Sequence, residues 1–307
     1  MNRPRVLVVG CGRMGAVRAA AAAQAGARVT GLLDAVPEAA EAVAVHHPGS
    51  RVLADVAEID WAEFDAAFVC TPPAARGVVV AAMRAGVPVL LEKPLGVDAE
   101  AARVLAEEAA ARGGRTAVGY MNRYRPAVQG LRRRLQDTPA FALACHWVVG
   151  AYAKPWWPDP AASGGPLNEQ ATHLVDLCRF LAGEVDTVRA LAGGDERDPG
   201  RVDAVAVALH FRSGACGTLL YSFRAREKHI ALEAFTPAGS ERLEDWDFHR
   251  PGDVRSEDPN AVFAAETAAF LGGGPVLSDV ADAWRTQVVV DAIKVSLSSA
   301  APVEVAA

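Results

Sequence analysis

Short β-branched runs take turns with alanine-rich stretches from residue 5 to residue 120, and this alternation limits the fold more than any other feature. "RVLVVG" (5–10) precedes "RMGAVRAAAAAQAG", "ARVTGLLD" (27–34) precedes "PEAAEAVAVHH", and "AAFVCTPP" (66–73) precedes "ARGVVVAAMRAG". "VPVLLEKP" (87–94) then precedes "DAEAARVLAEEAAARGG", and "TAVGY" (116–120) closes the series. Strands that are apolar throughout, each followed by a helix-length segment, predict a parallel sheet covered on both faces.

The rest of the chain reads differently. "FALACHWVVG" (141–150) has strand character and leads into the aromatic, proline-rich loop "AYAKPWWPDPAA". "SGGPLNEQATHLVDL" (163–177) then supplies a helix that Gly183 ends. "TVRALAG", "DAVAVALHF", "ACGTLLYSF" and "KHIALEAFT" follow as strands, the middle two joined by a hairpin turn at "RSG", and helices close the chain near 260–271 and 279–299. The expected architecture is a doubly wound Rossmann domain over 1–120 and an α/β domain with an open, mostly antiparallel sheet over 121–307. In "DAVAVALHF", Val205, Val207, Leu209 and Phe211 alternate with Ala204, Ala206, Ala208 and His210, so the second face is small and nearly uncharged. A solvated face is ordinarily polar; this one predicts a partner subunit, in a homodimer or homotetramer.

Composition narrows the function classes. A 51% hydrophobic and 22% charged chain of 307 residues can bury a real core, and a net charge of −6 without like-charge runs argues against nucleic acid and anionic membranes. Five scattered cysteines without a CxxC pair read as reduced thiols, and no apolar stretch is long enough for a membrane span, so the expected location is cytoplasmic. No metal-ligand cluster is expected. Basic residues are nearly all arginine, and the lysines are only Lys93, Lys154, Lys228 and Lys294.

"GCGRMG" (10–15) sits between the first strand and the first helix, with Asp34 ending the second strand. In that setting GxGxxG predicts a dinucleotide site. Gly10 permits the tight turn, Gly12 the approach of the pyrophosphate, and Gly15 the packing of helix on strand, while Arg13 and Met14 open the helix whose N-terminus faces the phosphates. Asp34 would accept from ribose hydroxyls and repel a 2′-phosphate, which favours NAD; NADP stays open because Arg13 or Arg18 offers a compensating charge.

"LLEKPLG" (90–96) ends a strand on the ligand-binding edge of such a sheet, with Glu92 and Lys93 pointing to opposite sides and Pro94 favouring a cis peptide or a rigid turn. Further on, Glu169 and His173 are four residues apart and Asp176 three beyond, all near one helix face. His173 suits proton transfer near neutral pH. Tyr152, Trp156 and Trp157 read either as a wall over a sugar ring or as packing anchors, with Lys154 a candidate anion contact.

Taken in order, GCGRMG, TPP (71–73), EKP (92–94), "GYMNRYRP" (119–126), "SGGPLNEQATHLVDL" and the terminal "DVADAWRTQVVVDAIKVSLSSAAPVEV" resemble the Gfo/Idh/MocA family, along nearly the whole chain. The resemblance implies NAD(P)-linked hydride transfer at a secondary alcohol or ketone of a sugar or cyclitol, so a polyol or ketosugar is the expected small-molecule partner. It makes Lys93 and His173 catalytic with Glu169 beside them. It adds Thr71, Pro72 and Glu92 to the cofactor site and Arg123 to the substrate site; the residues themselves make Trp157 a substrate candidate and Asp176 either a substrate contact or a structural pair or cap. An ammonium about 4 Å from a developing alkoxide is worth about 4 kcal/mol at an effective dielectric of about 20. The chain departs from the family where Glu169 replaces the usual aspartate and where Arg76 stands at a position often held by histidine. A non-catalytic NAD-binding regulator and a glycosidase working by transient oxidation are the alternatives that share this signature.

Overall fold

The computed structural model describes residues 3–194, 202–254, 258 and 260–306. In chain order the elements begin with β1 (Arg5–Val9), α1 (Arg13–Gln24), β2 (Arg28–Leu33), α2 (Pro37–Ala44), β3 (Arg51–Leu53) and β4 (Ala66–Val69). They continue with α3 (Gly77–Arg84), β5 (Val89–Leu91), α4 (Ala99–Arg112), β6 (Thr116–Val118), α5 (Pro126–Asp137), β7 (Ala142–Gly150), α6 (Pro160–Ser163) and α7 (Thr172–Ala182). The last are β8 (Val185–Gly193), β9 (Ala204–Phe211), β10 (Cys216–Ser222), β11 (Arg224–Thr236), β12 (Gly239–Glu244), α8 (Ala261–Leu271), α9 (Val280–Ser299) and β13 (Val303–Glu304). The short β3 and β12 and the helix α5 were not among the expected elements.

Two compact units result. The first comprises Met1–Gly96, Glu100–Met121 and Glu257–Trp284; the second comprises Val97–Ala99, Asn122–Ser256 and Arg285–Ala307. The division therefore differs from a single cut after residue 120, because α8 packs with the first unit. The reason is visible in the core. Phe270 of α8 lies 5.9 Å from Phe68 of β4 and joins the cluster of Val6, Val8, Leu90 and Ala117. Leu7, Val9, Ala67, Val69 and Leu91 build the opposite cluster. Successive residues of β1 thus serve both faces of one sheet, as a doubly covered strand requires.

The first unit holds a six-stranded sheet in the order β3-β2-β1-β4-β5-β6, parallel throughout. The order reverses between β1 and β4, which opens the crevice where such sheets bind ligands. The second unit holds a seven-stranded sheet in the order β12-β11-β7-β10-β9-β8-β13. It is antiparallel except for the β10–β7 pair. Val205, Val207, Leu209 and Phe211 face inward, while Ala206, Ala208 and His210 are exposed on the other face, as their alternation predicts. The cysteines are all free; Cys216 is exposed and Cys70 half-buried, so only Cys11, Cys145 and Cys178 are the buried thiols expected. Among the described residues no helix is long and apolar enough to cross a membrane, and no group of metal-ligating side chains occurs.

Candidate active site

Gly10, Asp34, Thr71 and Lys93 each follow a strand of the parallel sheet at its carboxyl edge. Gly10 has φ +86°, and a methyl group there would lie 2.8 Å from the main chain of Cys70 and Thr71. At Gly15 it would lie 2.0 Å from the Gly10 carbonyl oxygen, so α1 cannot approach β1 with any larger residue. At Gly12 it would meet no atom within 4 Å. Gly12 is also the N-cap of α1, which has no side-chain cap and no acid in its first turn. Open space before uncapped N–H groups fits a pyrophosphate. Arg13 is exposed and Met14 half-buried on that same first turn.

Asp34 Oδ2 accepts from Cys11 N at 2.6 Å and Oδ1 from Val36 N at 2.8 Å. Each oxygen keeps a lone pair for a ribose hydroxyl. Burial and then the Asp34 charge push the Cys11 thiol up to about 12, so it stays neutral beside bound phosphates. Thr71 and Pro72 are half-buried beyond β4, with Thr71 Oγ1 donating to Ala75 O at 2.8 Å. These residues fit a dinucleotide.

Arg18 does not offer its charge to such a ligand. It is fully buried, with Nε 2.6 Å from Glu92 Oε1 and Nη2 2.6 Å from Glu266 Oε2. Burial opposes its charge, but Glu266 and Glu92 outweigh that and hold its proton more firmly than usual. Glu92, expected at the cofactor, thus has Arg18 as its partner. A methyl on Gly119 would come within 2.6 Å of Arg18 Nη2 and 3.0 Å of Glu92 Oε1, which explains the glycine in "GY". The Lys93–Pro94 peptide is cis. The departure at residue 76 also has a structural role: buried Arg76 donates through Nη2 to Glu92 O at 2.5 Å and Pro94 O at 2.8 Å, clasping the turn that carries Lys93.

In the second unit the helix carrying Glu169 and His173 is not regular. Residues Leu167–Ala171 form a π-helical turn that runs into α7. The wider i→i+5 turn alters the regular face expected from the sequence, and such turns recur at functional sites. Glu169 and His173 are both buried. The His173 ring stacks on Trp147 of β7, with centroids 5.2 Å apart and planes 19° apart, and meets Trp246 edge-on at 6.4 Å. Trp246 also meets Trp147 at 5.6 Å, and Lys228 Nζ lies 5.0 Å from its ring centre. The turn delivering Trp246 holds Asp245 and Phe248 at φ +63° and +49°. A left-handed phenylalanine costs energy, a kind of strain that clusters at functional sites. Trp147 and Trp246 went unnoticed in the sequence; the bulky inward alternation of "FALACHWVVG" was the only available signal for the first.

The remaining expected substrate residues have protein partners. Arg123 grips Asp176 through Nε at 2.9 Å and Nη2 at 2.6 Å, both side chains buried. Thr286 Oγ1 joins that carboxylate at 3.3 Å and receives Arg179 Nη1 at 2.6 Å. Trp157 is buried against Phe223 and Tyr152, at 5.5 and 5.4 Å, which agrees with the packing-anchor alternative. Trp156 is half-buried and Lys154 exposed. Gly164, at φ +76°, passes close to its own chain: a methyl there would lie 2.2 Å from Val97 O and 2.4 Å from Asn168 Nδ2.

Comparison with known proteins establishes the family. Residues 4–120 match the oxidoreductase family with an NAD-binding Rossmann fold, and residues 140–241 match the GFO/IDH/MocA C-terminal domain. The inositol 2-dehydrogenase of Rhizobium meliloti (strain 1021) is 30% identical over 233 residues, which cover 71% of this chain and 68% of that protein. The inositol 2-dehydrogenase 2 of Saccharopolyspora erythraea is 38% identical over 186 residues, 58% of this chain and 53% of that one. The myo-inositol dehydrogenase structure from Corynebacterium glutamicum ATCC 13032 superposes with a TM-score of 0.85 at 22% identity, covering 100% of both chains, and so shares the fold. The chain belongs to the Gfo/Idh/MocA oxidoreductase family and is an NAD-dependent dehydrogenase acting on CH–OH groups.

Proposed function

We propose that the chain moves hydride between NAD and a secondary alcohol, or the matching ketone, of a sugar, sugar derivative or cyclitol. The observation that carries this reading is the His173 ring, buried on a tryptophan face with the Glu169 carboxylate buried on the turn before it. Bound NAD supplies the hydride acceptor or donor. His173 takes the hydroxyl proton in oxidation and returns it in reduction; its stacking on Trp147 fixes the ring plane and keeps water off one face. Lys93 offers an ammonium to the developing alkoxide from a turn that Arg76 holds by two main-chain bonds. Glu169 orients the imidazole or the substrate hydroxyl. Apolar tryptophan faces beside hydrogen-bonding groups suit the two aspects of a sugar ring.

The test is a 340 nm screen in both directions with NAD and NADP against cyclitols, aldoses, amino sugars and nucleotide sugars. Wild-type turnover is expected, and Lys93→Ala or His173→Ala should each lower kcat by about 10²–10⁴-fold while NAD binding persists. No turnover across the panel, or full turnover in both variants, overturns the reading.

The same reading includes a homo-oligomer formed through the outer face of the second sheet. That face presents Ala206, Ala208, Leu191 and Leu220, the last two 61% and 43% exposed. An apolar patch of this kind is better covered than solvated, with Arg189, paired with Ala208, a cation that the partner would meet.

A further inference from the structure

Among the described residues, three buried arginines have carboxylates on their forks, and a fourth, Arg76, grips two main-chain carbonyls. Arg18 has Glu92 and Glu266, Arg123 has Asp176, and Arg179 has Glu184 at 2.8 Å. Arg125 is 7% exposed, yet its Nε donates to a neutral amide, Asn122 Oδ1, at 2.7 Å. Nη2, on the same edge of the fork, is buried without a hydrogen-bond partner. Asn122 is 2% exposed, and its Nδ2 is also buried without one. Two unsatisfied donors, one of them cationic, therefore flank a single hydrogen bond.

A desolvated cation with no bonded anion costs several kcal/mol by order of magnitude, and natural interiors rarely keep one without a use. Burial lowers the Arg125 pKa to about 10, against which Asp247 alone offers some compensation. That carboxylate is already bonded to His249 Nδ1 at 3.0 Å. Arg125 is also the N-cap of α5, a twelve-residue helix with no acid in its first turn and no side-chain cap, so the local field favours an anion again.

The Asp247 charge acts on Arg125 from the turn that also builds the histidine site. Asp247 lies between Trp246 and Phe248, whose rings are 5.6 and 6.4 Å from Trp147, the residue on which His173 stacks. Lys228, over Trp246, adds a second cation to that aromatic shell.

We propose that Arg125 Nη2 and Asn122 Nδ2 seat an anionic oxygen group of the substrate, a carboxylate or a phosphate monoester, so that the alcohols preferred are acidic sugars or cyclitols. This rests on the hydride-transfer reading and narrows it. One oxygen of either group accepts from Arg125 Nη2 and another from Asn122 Nδ2. A neutral hydroxyl can accept from the same donors but brings no charge to offset the buried guanidinium.

The full chain with NAD is titrated calorimetrically and by thermal shift with D-glucuronate, D-glucose 6-phosphate, D-glucose and inorganic phosphate. At least one of the two anionic sugars should bind about ten-fold or more tightly than glucose, equivalent to about 1.4 kcal/mol. The tighter of the two names the group. Asn122→Asp places a carboxylate against Arg125 Nε; it should raise the Tm without ligand and abolish the preference. Arg125→Met should also abolish the preference without lowering that Tm, whereas a merely structural arginine would lower it. Equal binding of all three sugars by the wild type, a preference that survives Asn122→Asp, or a response to inorganic phosphate alone overturns the proposal. Turnover of neutral polyols without any anion preference sinks this inference and leaves hydride transfer standing. Anion preference without NAD reduction by any alcohol does the reverse.

Discussion

The cofactor cradle of the first unit and the histidine site of the second are built from different materials. The cradle is main chain: a left-handed glycine at residue 10, an uncapped helix start at Gly12, and a carboxylate held by the Cys11 and Val36 amides. The histidine site is side chain on side chain, with His173, Trp147 and Trp246 arriving from a helix, a strand and a strained turn. A main-chain site tolerates almost any neighbour but no added atom at a few positions. A side-chain site tolerates local change but depends on packing from distant elements. Substitutions should separate the two behaviours.

The largest effect is expected at Gly15, where a Cβ would lie 2.0 Å from a carbonyl oxygen. Gly15→Val should cost about 4 kcal/mol or more, read as a collapse of the denaturant midpoint or loss of soluble protein. Normal stability would show that α1 does not pack on β1 as described.

Next comes the buried triad. Arg18→Met strands the Glu92 and Glu266 carboxylates and should destabilise by about 3–5 kcal/mol near neutral pH, measured by urea unfolding. Lowering the pH should recover part of that loss, because protonating a stranded carboxylate removes the uncompensated charge. An unchanged midpoint would mean that the triad is dispensable.

Gly12→Ala tests the cradle as a cradle. With no atom within 4 Å of the new methyl, stability should stay within about 0.5 kcal/mol of wild type. NAD affinity should fall by about ten-fold, or about 1.4 kcal/mol, as the methyl occupies pyrophosphate space. A fall in stability with NAD binding intact would reverse the roles given to Gly12 and Gly15.

The smallest effect belongs to the other region. Trp147→Phe keeps a ring under His173 but shrinks the stack. A change of about 0.5–1.5 kcal/mol in the activation barrier is expected, read as kcat at fixed NAD. A value indistinguishable from wild type would show that the histidine does not use the tryptophan face.

The cradle was legible because every part of it falls in one βαβ stretch and the interactions are spacing-dependent rather than partner-dependent. The alternation of "DAVAVALHF" was legible for the same reason, since a strand's period is local. Arg18 was misread as a candidate phosphate contact because its partner Glu92 is 74 positions away. Asp176 was expected at the substrate, and its arginine partner lies 53 positions upstream. The π-helical turn at Leu167–Ala171 has no periodic signature, so Glu169 and His173 looked like members of an ordinary helix face.

The amino-acid order therefore determined the two kinds of sheet, the glycine turn, Asp34 at the end of its strand, and which ionisable groups exist to be used. Tertiary structure alone decided which of the arginines found carboxylates. In "NRYRP", Arg123 is paired and Arg125, two residues on, holds only an amide. The physical reason is that a charge takes its value from desolvation and from partners distant in the chain, and neither quantity is written in the neighbouring letters.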